Sequence, residues 1–176
     1  MKALVVYESL FGNTEQVARA ITTGLSKYME VDLRDVSDAP PEITDFLDLI
    51  VVGGPTHAFS MSRPNTREDA FRQGATQGRR ELGLREWLGH LRSGPHSEML
   101  ATFDTKVDKV RHLPGSAAKG AAKVARKHGY SPSRTESFYV ADVSGPLLEG
   151  ELDRAEAWGE RLAVEADARA SGRLGR

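Results

Sequence analysis

The chain has 176 residues, 39% of them hydrophobic and 28% charged. That size and balance fit one ordinary globular domain and exclude a disordered, low-hydropathy chain. With no cysteine, disulfides, thiolate nucleophiles, zinc–thiolate sites and cysteine-ligated clusters are excluded together. The net charge of −1 conceals an uneven spread: residues 1–60 hold 4 Lys/Arg against 9 Asp/Glu, residues 61–134 hold 15 against 7, and residues 135–176 hold 5 against 9. A basic middle third is compatible with an acidic partner, a phosphorylated cosubstrate or nucleic acid. The simpler reading is a set of solvated helix faces.

No apolar run approaches the roughly 18 residues of a membrane-spanning helix. Ala3–Tyr7 is apolar, but Glu8 ends the run and no small-residue cleavage site follows. A buried first strand explains it better than a leader, and a cytoplasmic location is expected. Helical spacing of Val17, Ile21, Leu25 and Tyr28 comes next. Residues 31–36 alternate apolar and charged, as a half-exposed edge strand does. The connection 37–45 contains Pro40 and Pro41 and predicts at most a short helix. Leu49–Val52 reads as a strand covered on both faces.

Residues 55–81, rich in Ser, Arg, Gly and Gln, predict an extended loop, and loops of that length are commonly functional. A helix is expected over Leu84, Trp87, Leu88 and Leu91, and a strand over Met99–Phe103. The stripe Ala117, Ala118, Ala121, Ala122 and Ala125 predicts a helix stopping near Gly129. A strand at Phe138–Ala141 and a helix marked by Leu148, Leu152, Ala155 and Leu162 follow. This order predicts an α/β fold: a single doubly wound, open, parallel five-stranded sheet with helices on both faces. The domain is expected over residues 1–168, with a disordered tail at 169–176.

The loop Ser9-Leu10-Phe11-Gly12-Asn13-Thr14 joins the first strand to the first helix. Unpaired N–H groups and the dipole at a helix N-terminus make an anion site. Ser9, Asn13 and Thr14 add short polar side chains, and Gly12 allows a tight turn. No Lys or Arg lies between Glu8 and Gln16, which suits a terminal monophosphate held by neutral donors. The competing reading is a helix cap without a ligand. The P-loop pattern ending Gly-Lys-Ser/Thr and the pattern Gly-x-Gly-x-x-Gly are both missing.

Residues Val5 to Ile21, with Tyr7 closing the strand, a hydroxyl at Ser9, then Gly12-Asn13-Thr14 and Ala18 and Ile21 on the helix, resemble the flavodoxin signature. That resemblance extends in element order over roughly residues 2 to 165. It implies flavin mononucleotide (FMN) as cofactor and strand order 2-1-3-4-5, with the flavin at the switch point between the first and third strands, the known flavodoxin arrangement. It also implies two ring-binding loops. The first is Pro55-Thr56-His57-Ala58-Phe59, which begins Pro-Thr as in flavodoxin-like quinone reductases. The second is Phe103-Asp104-Thr105-Lys106, with Asp104 facing the pyrimidine edge. For His57 and Phe59, packing within the loop competes with stacking on the ring, and for Asp104 a turn or helix cap competes.

Three features depart from electron-transfer flavodoxins: Val107 stands where a stacking Tyr is expected, residues 56–59 contain no Gly, and net charge is near neutral. Arg63, Arg67, Arg72, Arg79 and Arg80 suggest a lid holding an anionic substrate or a pyridine-nucleotide phosphate, against a mobile, solvated insertion. Lys119, Lys123, Arg126 and Lys127 lack the interleaved aromatics that nucleic-acid binding needs. No catalytic side-chain constellation and no metal site is expected. The first expectation is an FMN-binding carrier of electrons between a reductase and a protein partner. The alternatives are an FMN-dependent NAD(P)H:quinone-type oxidoreductase and a non-catalytic interaction or sensor module.

Overall fold

The computed structural model describes residues 1–43 and 46–174. Strand β1 (Lys2–Tyr7) lies inside its sheet, with a neighbour on each side, which is why Val5 and Val6 have no exposed surface. The edge strand β2 (Glu30–Asp35) pairs with β1 on one side, and β3 (Leu49–His57) pairs with it on the other, both in parallel. Next come β5 (Met99–Val107) and β6 (Pro132–Val140), also parallel, giving the spatial order β2-β1-β3-β5-β6. Counting only the five parallel strands, this is the predicted order. The sixth strand, β4 (Ser60–Met61), forms a short antiparallel hairpin with the end of β3.

Side-chain alternation along the strands divides the core into two layers. Val5, Val51, Ala101 and Phe103 face helices α1 (Asn13–Ser26) and α5 (Glu151–Leu174). Val6, Val52 and Leu100 face α3 (Leu84–Gly89) and α4 (Ala117–Lys127). Each fully buried Leu, Ile or Phe in these layers stabilises by about 1.5–3 kcal/mol. Gly24 and Gly159 let α1 and α5 cross closely: a Cβ on Gly159 would press on the Ile21 carbonyl, and one on Gly24 on the Glu156 carbonyl.

Several boundaries differ from the sequence expectations. Strands β3 and β5 run four or five residues further than their apolar cores, through Pro55–His57 and Asp104–Val107. Neighbouring strands supply the hydrogen bonds there, so polar residues remain in the ladder. The stretch 55–81 is not one loop. It contains the β3–β4 hairpin and helix α2 (Pro64–Arg72), which starts with Pro at its first position. The last helix begins at Glu151, and Leu152 is exposed; its buried stripe is Ala155, Trp158, Leu162, Ala163 and Ala166. That helix continues through Leu174, beyond the expected start of a disordered tail at 169, because propagation adds one hydrogen bond per residue. Residues 175–176 of the expected tail, and the last two residues of the 37–45 connection, lie outside the described residues. Residues 37–43 form turns without a helix, anchored where Trp87 Nε1 donates to the Pro40 carbonyl at 2.9 Å.

Candidate functional site

The carboxyl ends of β1, β3 and β5 open onto one cleft at the point where the connections diverge to opposite sides of β1, the position where open α/β sheets hold ligands. Its enclosed volume is about 60 Å³, and its walls include Leu10, Phe11, Asn13, Thr14, Pro55, Thr56, His57 and Thr105. Val107, which stands where a stacking Tyr is expected, is also a wall, and two further walls escaped the sequence reading: Val140 and Val143. Val140 and Val143 belong to the end of β6 and the turn after it. Only the pairing of β6 with β5 brings that end beside Val107.

Ser9 to Gly12 make a tight turn into α1. Gly12 sits at φ 86°, where a side chain would be strained, and its N–H donates to Ser9 Oγ at 3.1 Å. The helix opens at Asn13, so the last two residues of the expected loop Ser9–Thr14 are already helical. The first N–H groups of α1 have no partner inside the helix. Thr14 Oγ1 lies 2.8 Å from Thr105 Oγ1, so one of the two hydroxyls keeps a proton to donate elsewhere. Asn13 Nδ2 donates to the Ser144 carbonyl at 3.1 Å and ties the turn after β6 to this loop.

The first ring loop is a strand end and a hairpin. Thr56 pairs with Met61 and His57 with Ser60, leaving Ala58 and Phe59 as the two turn residues. Thr56 Oγ1 accepts the Ala117 N–H at 2.8 Å. Burial holds His57 below the ordinary imidazole range, so the ring is neutral near pH 7.

Only Thr105 of the second expected loop reaches the cleft, because 103–106 lie within β5 and alternate between its faces. Phe103 packs edge-on against Phe138 and Trp158 in the core. Asp104 is fully buried on the α4 side, where its Oδ2 accepts the Ala118 N–H at 2.8 Å. It therefore caps α4, the competing reading, and burial pushes its carboxyl above the ordinary range. Lys106 is buried on that side too, donating from Nζ to the Leu113 and Gly115 carbonyls at 2.8 and 3.2 Å.

The expected arginine lid is also rearranged. Arg67 has no exposed surface: Nε donates to the Arg80 carbonyl at 2.7 Å, Nη1 donates to Ser62 Oγ at 2.8 Å, and Nη2 lies 3.0 Å from Glu86. Ser62 in turn donates to the buried carboxylate of Glu8, whose other oxygen accepts the Leu84 N–H at 2.8 Å. Burial raises the Glu8 pKa from the ordinary carboxylate value. Arg72 and Arg80 pair with Glu68. Instead of covering the cleft, the insertion braces the Ser9–Gly12 turn from outside. Leu10 packs with Ala70 and Ala75, and its carbonyl accepts the Thr76 and Gln77 N–H groups.

The donor set fits a phosphate: a helix N-terminus, neutral hydroxyls and, among the residues lining the cleft, no carboxylate to repel it. A larger hollow of about 780 Å³ runs along α5 and β6, but its polar lining includes Arg134 and Glu165, already paired at 2.8 Å. Among the described residues no cluster of His, Asp or Glu could hold a metal ion, and no helix is long and apolar enough to cross a membrane.

No protein-family model and no curated protein sequence matches the chain. Solved structures do. A flavodoxin from the domain Archaea superposes with a TM-score of 0.62 at 20% identity, covering 95% of this chain and 99% of that one. Flavodoxin 2 from Bacillus cereus gives 0.63 at 17% identity, covering 94% and 99%. A flavodoxin WrbA-like protein from Agrobacterium tumefaciens gives 0.56 at 16%, covering 96% and 98%. The chain thus has a flavodoxin-like fold along nearly its whole length.

Proposed function

We propose that the chain binds FMN in the cleft between β1, β3 and β5 and carries electrons between a reductase and a protein acceptor. The observation behind this reading is the convergence of the Ser9–Thr14 turn and Thr105 on the sheet's switch point, with donors that are neutral and oriented before any ligand arrives. Bound FMN would supply reversible one- and two-electron chemistry. The protein's part is to hold the phosphate with the first-turn N–H groups of α1 and the Thr14–Thr105 hydroxyl pair. Pro55, Thr56 and His57 present a rim that is partly apolar and, with a neutral imidazole, uncharged. An enclosed space of about 60 Å³ is far below the roughly 300–1,000 Å³ of pockets that engulf small molecules. Pro55, Thr56 and His57 would hold a flavin at this rim.

The oxidoreductase alternative needs a grip for a pyridine-nucleotide phosphate. Of the five cations suggested for it, Arg67, Arg72 and Arg80 are engaged by Glu86, Glu68 and the Arg80 carbonyl, which favours the carrier, while Arg63 and Arg79 enter no ion pair among the described residues. Absorption titration of the apoprotein with FMN, with phosphate-free riboflavin as control, tests the cofactor. FMN is expected to bind at least about tenfold more tightly, a difference of ~1.4 kcal/mol. Absence of binding by either flavin refutes the reading. Rapid NAD(P)H oxidation with a quinone and no added reductase would replace the carrier with the oxidoreductase.

A further inference from the structure

The tip of the β3–β4 hairpin is built against backbone preference. Ala58 and Phe59 adopt φ 46° and 61°, the left-handed region that two-residue hairpin turns ordinarily fill with Gly, Asn or Asp. The result is an aromatic ring held out at the cleft rim: Phe59 is 47% exposed. The backbone of Phe59 lies against Gly115, which brings the exposed Leu113 segment alongside, and the exposed Val143 shares a hollow with His57 and Ala58. Phe59, Leu113 and Val143 are thus three exposed apolar side chains on segments beside the cleft.

On the Leu113 and α4 side of this patch the charges are mainly positive, while Asp69, 3.4 Å from Arg72, lines the hollow on the Val143 side. From 105 to 128 the sequence holds seven Lys/Arg and one acid, Asp108, which pairs with Arg111 at 3.0 Å. Lys109 follows directly after the cleft edge at Val107, in a 3₁₀ turn over Asp108–Val110. Lys119 lies in the first turn of α4, whose Ala117 N–H bonds Thr56. Lys123, Arg126 and Lys127 continue along the exposed face of that helix. On the hairpin's other side Arg85 donates to Ser60 Oγ and the Met61 carbonyl at 3.1 and 2.8 Å. Among the described residues, Lys109, Lys119, Lys123, Arg126 and Lys127 enter no ion pair. Several cations elsewhere are paired, Arg19 with Glu15, Lys27 with Glu156 and Glu160, Arg134 with Glu165, and Arg154 with Glu136 and Glu151, although Arg63, Arg79 and Arg161 also enter no ion pair among the described residues.

We propose that this face is the docking surface for an acidic protein, anchored by Phe59 and steered by Lys109, Lys119 and Lys123. An apolar centre with a charged rim is the anatomy of a protein interface. Unpaired charge of one sign accelerates encounter with an opposite surface. Nucleic acid fits less well, because the exposed rings sit at the cleft rim and not among the α4 cations. That the docked protein exchanges electrons with this chain rests on the FMN reading; the docking itself does not.

Carbodiimide cross-linking at low salt, which joins lysines of this chain to carboxylates of a partner, tests the surface without requiring flavin. The probes are cytochrome b5, an acidic haem protein, and cytochrome c, a basic one. Adducts with cytochrome b5 are expected at Lys109, Lys119 and Lys123 and not at the ion-paired Lys27. They should fall about tenfold in K109E/K119E and about threefold in Phe59→Ser, and disappear at high salt. Equal labelling of Lys27, equal yield with cytochrome c, homodimers as the sole product, or competition by duplex DNA at equal charge would each overturn the proposal. Adducts formed by a protein that does not load FMN would refute the cofactor reading alone. Normal FMN loading without adducts would refute the docking face alone.

Discussion

Thr14 Oγ1, in the first turn of α1, and Thr105 Oγ1, near the end of β5, lie 2.8 Å apart and join two segments 91 residues distant in sequence. The pair couples the Ser9–Thr14 turn to the sheet. It also fixes where a hydroxyl proton can point, since each bond between two hydroxyls uses only one of their protons. Removing Thr14 Oγ1 in Thr14→Val should weaken FMN binding about tenfold, with Thr105→Val losing less. Flavin fluorescence titration measures both, and equal affinity for Thr14→Val and wild type would exclude the hydroxyl from the phosphate site.

Arg67 is buried among Ser62, Glu86 and the Arg80 carbonyl, one bond removed from the Glu8 carboxylate. Arg67→Met leaves that carboxylate without its cation and should cost about 3–5 kcal/mol in urea unfolding. Arg72→Ala, by contrast, removes an exposed pair and should change stability by less than about 0.5 kcal/mol. If the two variants proved alike, the insertion would not be braced through Arg67.

Glu8 predicts a pH dependence whose sign follows from its raised pKa. The native carboxyl keeps its proton at pH values where the unfolded chain has ionised. Stability therefore falls as pH rises from the ordinary Glu pKa of about 4.3 towards the higher native value, and the full cost persists above it. The amide in Glu8→Gln cannot ionise, so its stability relative to wild type should rise through that window. Asp104 shifts in the same direction but is common to both proteins and cancels in the difference. A difference in unfolding free energy that stays flat with pH would show that Glu8 does not titrate as described.

The close crossing of α1 and α5 makes Gly159 a packing requirement, since its Cβ would meet the Ile21 carbonyl. Gly159→Ala should destabilise by about 1–3 kcal/mol despite the better helix propensity of Ala. A stabilised variant in thermal unfolding would mean the helices separate at little cost.

Relief of the hairpin strain should have the opposite sign. Ala58→Gly places the permissive residue at φ 46° and should gain about 0.5–1 kcal/mol, raising Tm by a few degrees. Calorimetry reads this directly, and a lowered Tm would show that the turn is not strained at Ala58.

Much of the fold was legible because its signals are local. Runs such as Leu49–Val52 with no polar residue announce strands covered on both faces, and the alanine stripe of α4 with Gly129 beyond it announces a helix and its stop. The turn from Ser9 to Thr14 was equally readable, since its chemistry depends on consecutive residues. What depended on partners was not. Polar stretches such as Asp104–Val107 remain in the sheet because neighbouring strands bond them, and strand alternation then sends Thr105 into the cleft while Asp104 and Lys106 point to the other face. Arg67 looked like a ligand for an anion until Glu8, Ser62 and Glu86, distant in sequence, closed around it. The sequence by itself determined the five parallel strands, most of the helices, their order and the Ser9–Thr14 turn, though not α2 or β4, because hydrophobic period and backbone chemistry act within a few residues. The tertiary structure alone decided which side chains line the cleft and which charges stay unpaired, because register and burial bring together groups that no local pattern connects.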